Sequence, residues 1–169
     1  ANRSGDGHKG NLYRDITNAV AAARQVSDFD LTGFIWKQGG KDMRSKQLGE
    51  EYLSNFQKML TSLRRDLAAP ELPAFIATYV TPEEFETYNA PLKLTRPGMT
   101  AVLKAHLDAA KTIPNVVTFS HGNLPCRIDG IHFNTEGQLR LGKMYANAVE
   151  NYYSGDEAAS NPASVPKNQ

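Results

Sequence analysis

Apolar residues recur along this chain in two rhythms, and the alternation between them predicts its architecture. Leu12, Ile16, Ala19, Val20 and Ala23 fall at helical spacing, which predicts a helix over about residues 11–25. Leu31-Thr32-Gly33-Phe34-Ile35-Trp36 is a short apolar run of strand length. The clearest helix comes next. Leu48, Tyr52, Phe56, Met59, Leu60, Leu63 and Leu67 share one face, Glu50, Glu51, Lys58, Arg64 and Arg65 lie mostly on the other, and Pro70 and Pro73 stop it. Ala74 to Val80 predicts a second buried strand, and Met99 to Lys111 a helix with Met99, Val102, Leu103, Leu107 and Ala110 on one side. Val116-Val117-Thr118-Phe119 predicts a third strand. A last helix over 136–152 carries Leu139, Leu141, Met144, Tyr145, Ala148 and Tyr152.

The segments between are polar. Residues 1–10 read as a loop. The stretch with Pro82, Pro91 and Pro97 reads as a loop with one helical turn near Glu83–Tyr88. Residues 154–169 are rich in Ser, Asn, Pro and Ala, have no apolar period, and read as a disordered tail behind a single domain over 1–153. Short apolar strands alternating with amphipathic helices predict an α/β fold: a three-layer α/β/α arrangement around a parallel sheet. In such sheets ligands sit beyond the carboxyl ends of the strands. That rule singles out two loops, Lys37 to Asp42 after the first strand and Ser120 to Asn134 after the third.

Composition narrows the chemistry. The chain has 169 residues, with 19 basic and 18 acidic side chains and a net charge of +1. This balance gives no electrostatic footprint for nucleic acid. There is no apolar run of roughly 18 residues, so no helical membrane span is expected. The first ten residues are polar and lack a signal-peptide core. Cys126 is the single cysteine, so neither an internal disulfide nor a cysteine-based metal site is available. As a thiol six residues before His132 it is either a nucleophile or, as lone cysteines usually are unless something lowers their pKa, an inert buried thiol. No pair of histidines has a third ligand at metal spacing, and no cofactor is called for.

The most informative stretch is Ile128-Asp129-Gly130-Ile131-His132-Phe133-Asn134-Thr135. A histidine that moves protons needs a partner to fix its tautomer and stabilise the imidazolium. A carboxylate three residues earlier in a loop can fold back onto the ring. The competing reading is a turn, for which Asp129-Gly130 is a good dipeptide. On the other predicted rim, Trp36-Lys37-Gln38-Gly39-Gly40-Lys41-Asp42 leaves a strand through two glycines. They allow a tight turn and close ligand approach. Gln38 can supply an amide donor to an oxyanion, or it can be a solvated glutamine on a glycine-rich turn. His121 reads as a surface or site-rim histidine, as does His8, and His106 as structural or solvated.

Together these blocks resemble the SGNH-hydrolase superfamily, in its sialate O-acetylesterase-like and carbohydrate acetylesterase branch. Gly33 to Asp42 is similar to that branch's Trp-x-Gln-Gly-Glu-x-Asp block. The segment from Tyr52 to Leu72-Pro73 resembles the branch's next helix and its Pro-marked strand entry. Asp129-Gly130-Ile131-His132-Phe133 with Gly137 and Leu141-Gly142 resembles its closing Asp-x-x-His block. The resemblance covers about residues 11–152. It implies metal-free hydrolysis of acetyl or similar esters on a carbohydrate substrate, in a secreted or periplasmic setting. His132 is then the general base, Asp129 its orienting acid, and Gln38 with Gly39 the oxyanion or substrate contact. Asp42 holds its loop.

The sequence departs from the pattern twice. Gly40 stands where the branch commonly has Glu, a residue able to serve the histidine. The branch's Gly-x-Ser-type nucleophile block, which lies well upstream of the Trp-Gln-Gly block, has no counterpart among the 35 residues before Trp36. Ser120, in Phe119-Ser120-His121-Gly122, is a weak substitute that lacks the first glycine of a nucleophile elbow. Ser4 has less support still. Three readings therefore stand. One is a serine esterase whose nucleophile comes from a missing N-terminal segment. Another is a non-catalytic carbohydrate-binding relative, with Trp36 and Tyr79 as aromatics that face either sugar or core. The third is a fragment that pairs with another chain through an exposed sheet edge.

Overall fold

The computed structural model describes residues 11–79, 95–129 and 132–155. Its elements are α1 (Asn11–Arg24), β1 (Phe34–Trp36), a 3-10 turn (Asp42–Arg44), α2 (Lys46–Asp66), β2 (Ala74–Thr78), α3 (Met99–Thr112), β3 (Val116–Ser120) and α4 (Thr135–Ser154). The expectations for residues 1–10, for the turn near Glu83–Tyr88 and for the tail beyond Gly155 lie outside the described residues. No helix among the described residues is long and apolar enough to cross a membrane.

The three strands form one parallel sheet in the order β1-β2-β3. Trp36 stands beside Ile76, and Thr78 beside Ser120, so all three strands end on the same rim. Strand β2 is central and buried throughout. Its side chains alternate between faces, as the pleat requires. Ala74 and Ile76 join Tyr52, Phe56 and Leu60 of α2 and Val102, Leu103 and Ala109 of α3 in one cluster. Phe75 and Ala77 join Tyr145 of α4, with Phe119, Leu141 and Tyr152 packed against them. Helices on both faces make the three-layer α/β arrangement. Helix α1 adds Tyr13 and Val20 to a third cluster around Leu63, Leu67 and Leu72, and Arg24 donates to the Leu67 carbonyl at 2.9 Å.

Local chemistry sets the helix ends. Ser45 caps α2 by accepting from the Leu48 N–H at 3.3 Å. Asn134 caps α4 by accepting from the Gly137 N–H at 2.9 Å, and Gly155 closes it in the left-handed region. Where α2 and α3 begin, two glycines bring backbone against backbone. A Cβ on Gly98 would fall 2.2 Å from the Ser45 carbonyl oxygen, and one on Gly49 would fall 2.6 Å from that of Gly98.

Three details differ from the apolar pattern. Strand β1 starts at Phe34, because Leu31 packs into the α1–α2 cluster instead of pairing. Leu48 is exposed, because Gly49 takes the contact with α3. Leu139 is exposed, because the buried stripe of α4 runs through Leu141, Tyr145, Ala148 and Tyr152. Two residues from Leu141 at about 100° each puts Leu139 on the opposite side.

Candidate active site

Beyond the carboxyl ends of the strands lies a cleft of about 610 Å³. Lys37, Gln38 and Gly40 line it from the turn after β1, Tyr79 from the end of β2, Arg96 from the approach to α3, and His132 and Phe133 from the loop before α4. Both motifs singled out in the sequence thus border one cavity.

The loop carrying the histidine is tied down on both sides. The Arg127 N–H donates to the His132 carbonyl at 2.8 Å and the Asn134 N–H to the Pro125 carbonyl at 3.0 Å. Cys126 and Phe133 form an antiparallel bridge. Asp129 then uses both carboxylate oxygens on one residue. Oδ1 accepts from the His132 backbone N–H at 3.0 Å, and Oδ2 lies 2.8 Å from Nδ1. A carboxylate only accepts, so the ring proton sits on Nδ1 and Nε2 is left as the basic nitrogen. The two side chains are 70% and 42% exposed. Water therefore screens the pair, and its value lies in orientation more than in stability.

Across the cleft, Gln38 Oε1 accepts from the Gly39 N–H at 2.6 Å. The Gly39 donor is thereby committed, and the Gln38 amide NH2 has no hydrogen-bond partner among the described residues. Gly39 has a φ of +129°, and a Cβ there would meet Val102 at 2.8 Å, so only glycine fits this turn. Below the turn, Trp36 Nε1 donates to the Tyr52 hydroxyl at 2.9 Å. That hydroxyl donates to the Gln38 carbonyl at 3.0 Å and lies 3.0 Å from His106 Nε2. His106 Nδ1 lies 2.7 Å from Thr78 Oγ1. Arg96 reaches over to donate to the Gly40 carbonyl at 3.1 Å.

Residues 3–151 match the family described as carbohydrate esterase, sialic acid-specific acetylesterase. The chain belongs to that family. It is 25% identical over 137 residues to an Arabidopsis thaliana protein named "Probable carbohydrate esterase", a match covering 81% of this chain and 46% of the relative. An X-ray structure of the same plant protein shares the fold, with a TM-score of 0.66 at 24% identity over 83% of this chain and 52% of that one. The chain thus spans about half the length of the relative it matches.

Within this member of the carbohydrate esterase family the remaining candidates have definite places. Ser120 is buried at the end of β3, where its Oγ accepts from the Gly122 N–H at 3.1 Å. Burial and the Asp129 charge push the Cys126 thiol up, the reverse of what activates a nucleophile. Trp36 is half-buried among Phe34 and Phe56, on the core side. Tyr79 borders the cleft, with His121 against its ring at 4.4 Å and Lys37 Nζ 5.7 Å from its centroid. His121 is not a rim residue. It is 2% exposed, held neutral by burial that pushes its pKa down to about 3, and its Nδ1 lies 2.8 Å from the Gly122 carbonyl. Crowding around the Lys37 ammonium pushes its pKa down to about 8. The residue keeps solvent-exposed surface, so water moderates that shift. Thr78 and Arg96 carry no short-range signal of a site, Tyr52 reads only as a core-face position of α2, and Lys37 only as part of the loop after β1, because each acquires its neighbours at the site through tertiary packing.

Proposed function

We propose that this chain carries the general-base half of a serine-type carbohydrate esterase acting on acetyl or similar esters. His132 Nε2 takes the proton of a serine hydroxyl as its oxygen attacks the ester carbonyl. Asp129 stabilises the imidazolium, and the Gln38 amide donates to the oxygen that becomes negative. When the tetrahedral intermediate collapses, the imidazolium gives its proton to the departing sugar oxygen. Water then repeats the sequence to release the acid. A positioned base contributes about 10²–10⁴-fold to such a step. The observation that carries the reading is the two-point grip of Asp129 on His132 beside the cleft that also contains Gln38.

The serine is supplied by further polypeptide, either preceding residues of a longer chain or a second chain. The place proposed for it is the outer edge of β1, which no strand among the described residues covers. Ile35 on that strand is 56% exposed, beside a groove of about 540 Å³ shared with Gly142, Tyr145, Ala146 and Val149. An uncovered parallel edge favours pairing.

The test is hydrolysis of a small acetyl ester by this chain and by a polypeptide of the family's full length, each with and without His132→Ala. Full-length activity should fall about 10³-fold on the substitution. Activity that survives it overturns the assignment. Gly40 favours a second reading, that of a carbohydrate-binding relative without turnover, because it removes a carboxylate from the cleft. Sugar binding by calorimetry with no hydrolysis at full length would select it.

A further inference from the structure

The buried polar groups beneath the Gln38 turn admit one arrangement of protons. Trp36 Nε1 can only donate, so it takes one lone pair of the Tyr52 hydroxyl. The Gln38 carbonyl can only accept, so it takes the hydroxyl's single proton. No proton is left for His106. Its Nε2, 3.0 Å away, must therefore carry the hydrogen and donate to the second lone pair. A neutral ring protonated at Nε2 has a bare Nδ1, and Thr78 Oγ1 donates to it at 2.7 Å. Every group is then satisfied.

The alternative tautomer leaves two lone pairs facing each other between Nε2 and the tyrosine oxygen, or takes the proton away from Gln38. Either leaves a buried polar group unpaired. Gly39 leaves room for the same assembly: a Cβ there would lie 3.4 Å and 3.5 Å from His106 Cε1 and Nε2. The turn is held from below by the hydrogen bond from the Tyr52 hydroxyl to the Gln38 carbonyl.

We propose that Tyr52 and His106 are positioning residues that fix the Gln38 turn, with His106 in the Nε2–H tautomer directing the Tyr52 proton onto the Gln38 carbonyl. The assignment deepens the esterase reading and rests on it only for its catalytic consequence. It does not require His106 to touch substrate or move a proton.

Nitrogen-15 NMR of the histidine rings tests the arrangement without any activity. His106 should show a protonated Nε2 and an unprotonated Nδ1. In Tyr52→Phe the Nε2 proton loses the tyrosine oxygen and the Gln38 carbonyl loses its hydroxyl donor, so the His106 Nε2 and Gly39 amide resonances should both move. A wild-type ring protonated at Nδ1 overturns the proposal, as does an unchanged Gly39 resonance in folded Tyr52→Phe. In the ester assay, Tyr52→Phe should lower kcat by roughly tenfold to a hundredfold, with KM nearly unchanged, as misplacement of a reacting contact does. His106→Gln, whose amide can donate from the Nε2 position, should retain most of kcat, and His106→Leu should not. Equal losses in the two variants overturn the positioning role. If the NMR signature holds while Gln38→Ala leaves hydrolysis intact, the network stands and the oxyanion role of Gln38 fails instead.

Discussion

Two histidines border the same cleft, and the fold treats them in opposite ways. His132 sits in an exposed loop with one ring nitrogen held by a carboxylate and the other without a hydrogen-bond partner among the described residues. His106 is 2% exposed on α3, and both its nitrogens are consumed by neutral partners. Burial, with the Lys37 charge adding to it, pushes its pKa down to about 4, whereas the backbone contact at Gln38 acts the other way. A ring with a carboxylate behind it and a free lone pair in front can take a proton and be stabilised when it does. A ring that is buried, doubly bonded and neutral can only hold its neighbours in place. Residue type therefore says little about role. The count of uncommitted nitrogens says much more.

The largest effect expected from this contrast is a separation of activity from stability at His132. His132→Ala should cost about 10³-fold in hydrolysis by the full-length enzyme. Urea unfolding of this chain should move by no more than about 0.5 kcal/mol, as for other exposed substitutions. A large loss of stability would mean that the Asp129 grip is structural after all.

The buried ring should reveal itself through acid. Unfolded, it takes a proton near pH 6.5; folded, it refuses one until about 4. Between those values the unfolded state binds more protons, so stability falls as pH is lowered through this window and levels off, for this ring, below it. A shift of that size corresponds to about 3 kcal/mol. His121, pushed down to about 3, extends the decline to lower pH. The check is the difference between wild type and His106→Gln in urea unfolding from pH 7 to pH 4. The variant should lose the share of the slope due to this ring, and parallel curves would contradict the buried neutral state.

Thr78→Val should cost about 1–3 kcal/mol, because it leaves the Nδ1 acceptor of His106 buried without its donor. The same change should leave the Asp129–His132 geometry, read by NMR, as it was. This residue also marks where the sequence stops being legible. The helices, the strands and the Asp129–His132 pair arise from patterns contained within one element or one loop, and the structure places them close to where the apolar spacing and the loop suggest. Trp36, Tyr52, Thr78 and His106 come from four different elements, so no window of sequence brings them together. The misjudged residues share this cause. Leu139 looks like core until the direction of the buried stripe on α4 is known, and His121 looks like rim until Tyr79 and Phe133 are seen packed against its ring.

The smallest expected effect concerns Gly40, the position that most separates the catalytic reading from the binding one. It lines the cleft, and a Cβ built there would meet nothing within 4 Å, so the fold does not require glycine at this point. Gly40→Glu should therefore change stability by no more than about 0.5 kcal/mol. If Asp129 alone orients His132, the added carboxylate has little to improve in the otherwise wild-type full-length enzyme. Its value should appear when Asp129 is disabled. Asp129→Asn weakens hydrolysis by removing the charge that stabilises the imidazolium, and Gly40→Glu in that background should recover about tenfold by supplying a second carboxylate to the same cleft. Independent effects of the two substitutions would mean that a side chain at position 40 does not reach the histidine. Asp129 would then be the sole electrostatic partner of His132 that the described residues supply, and His132 would depend on it as closely as His106 depends on Tyr52 and Thr78.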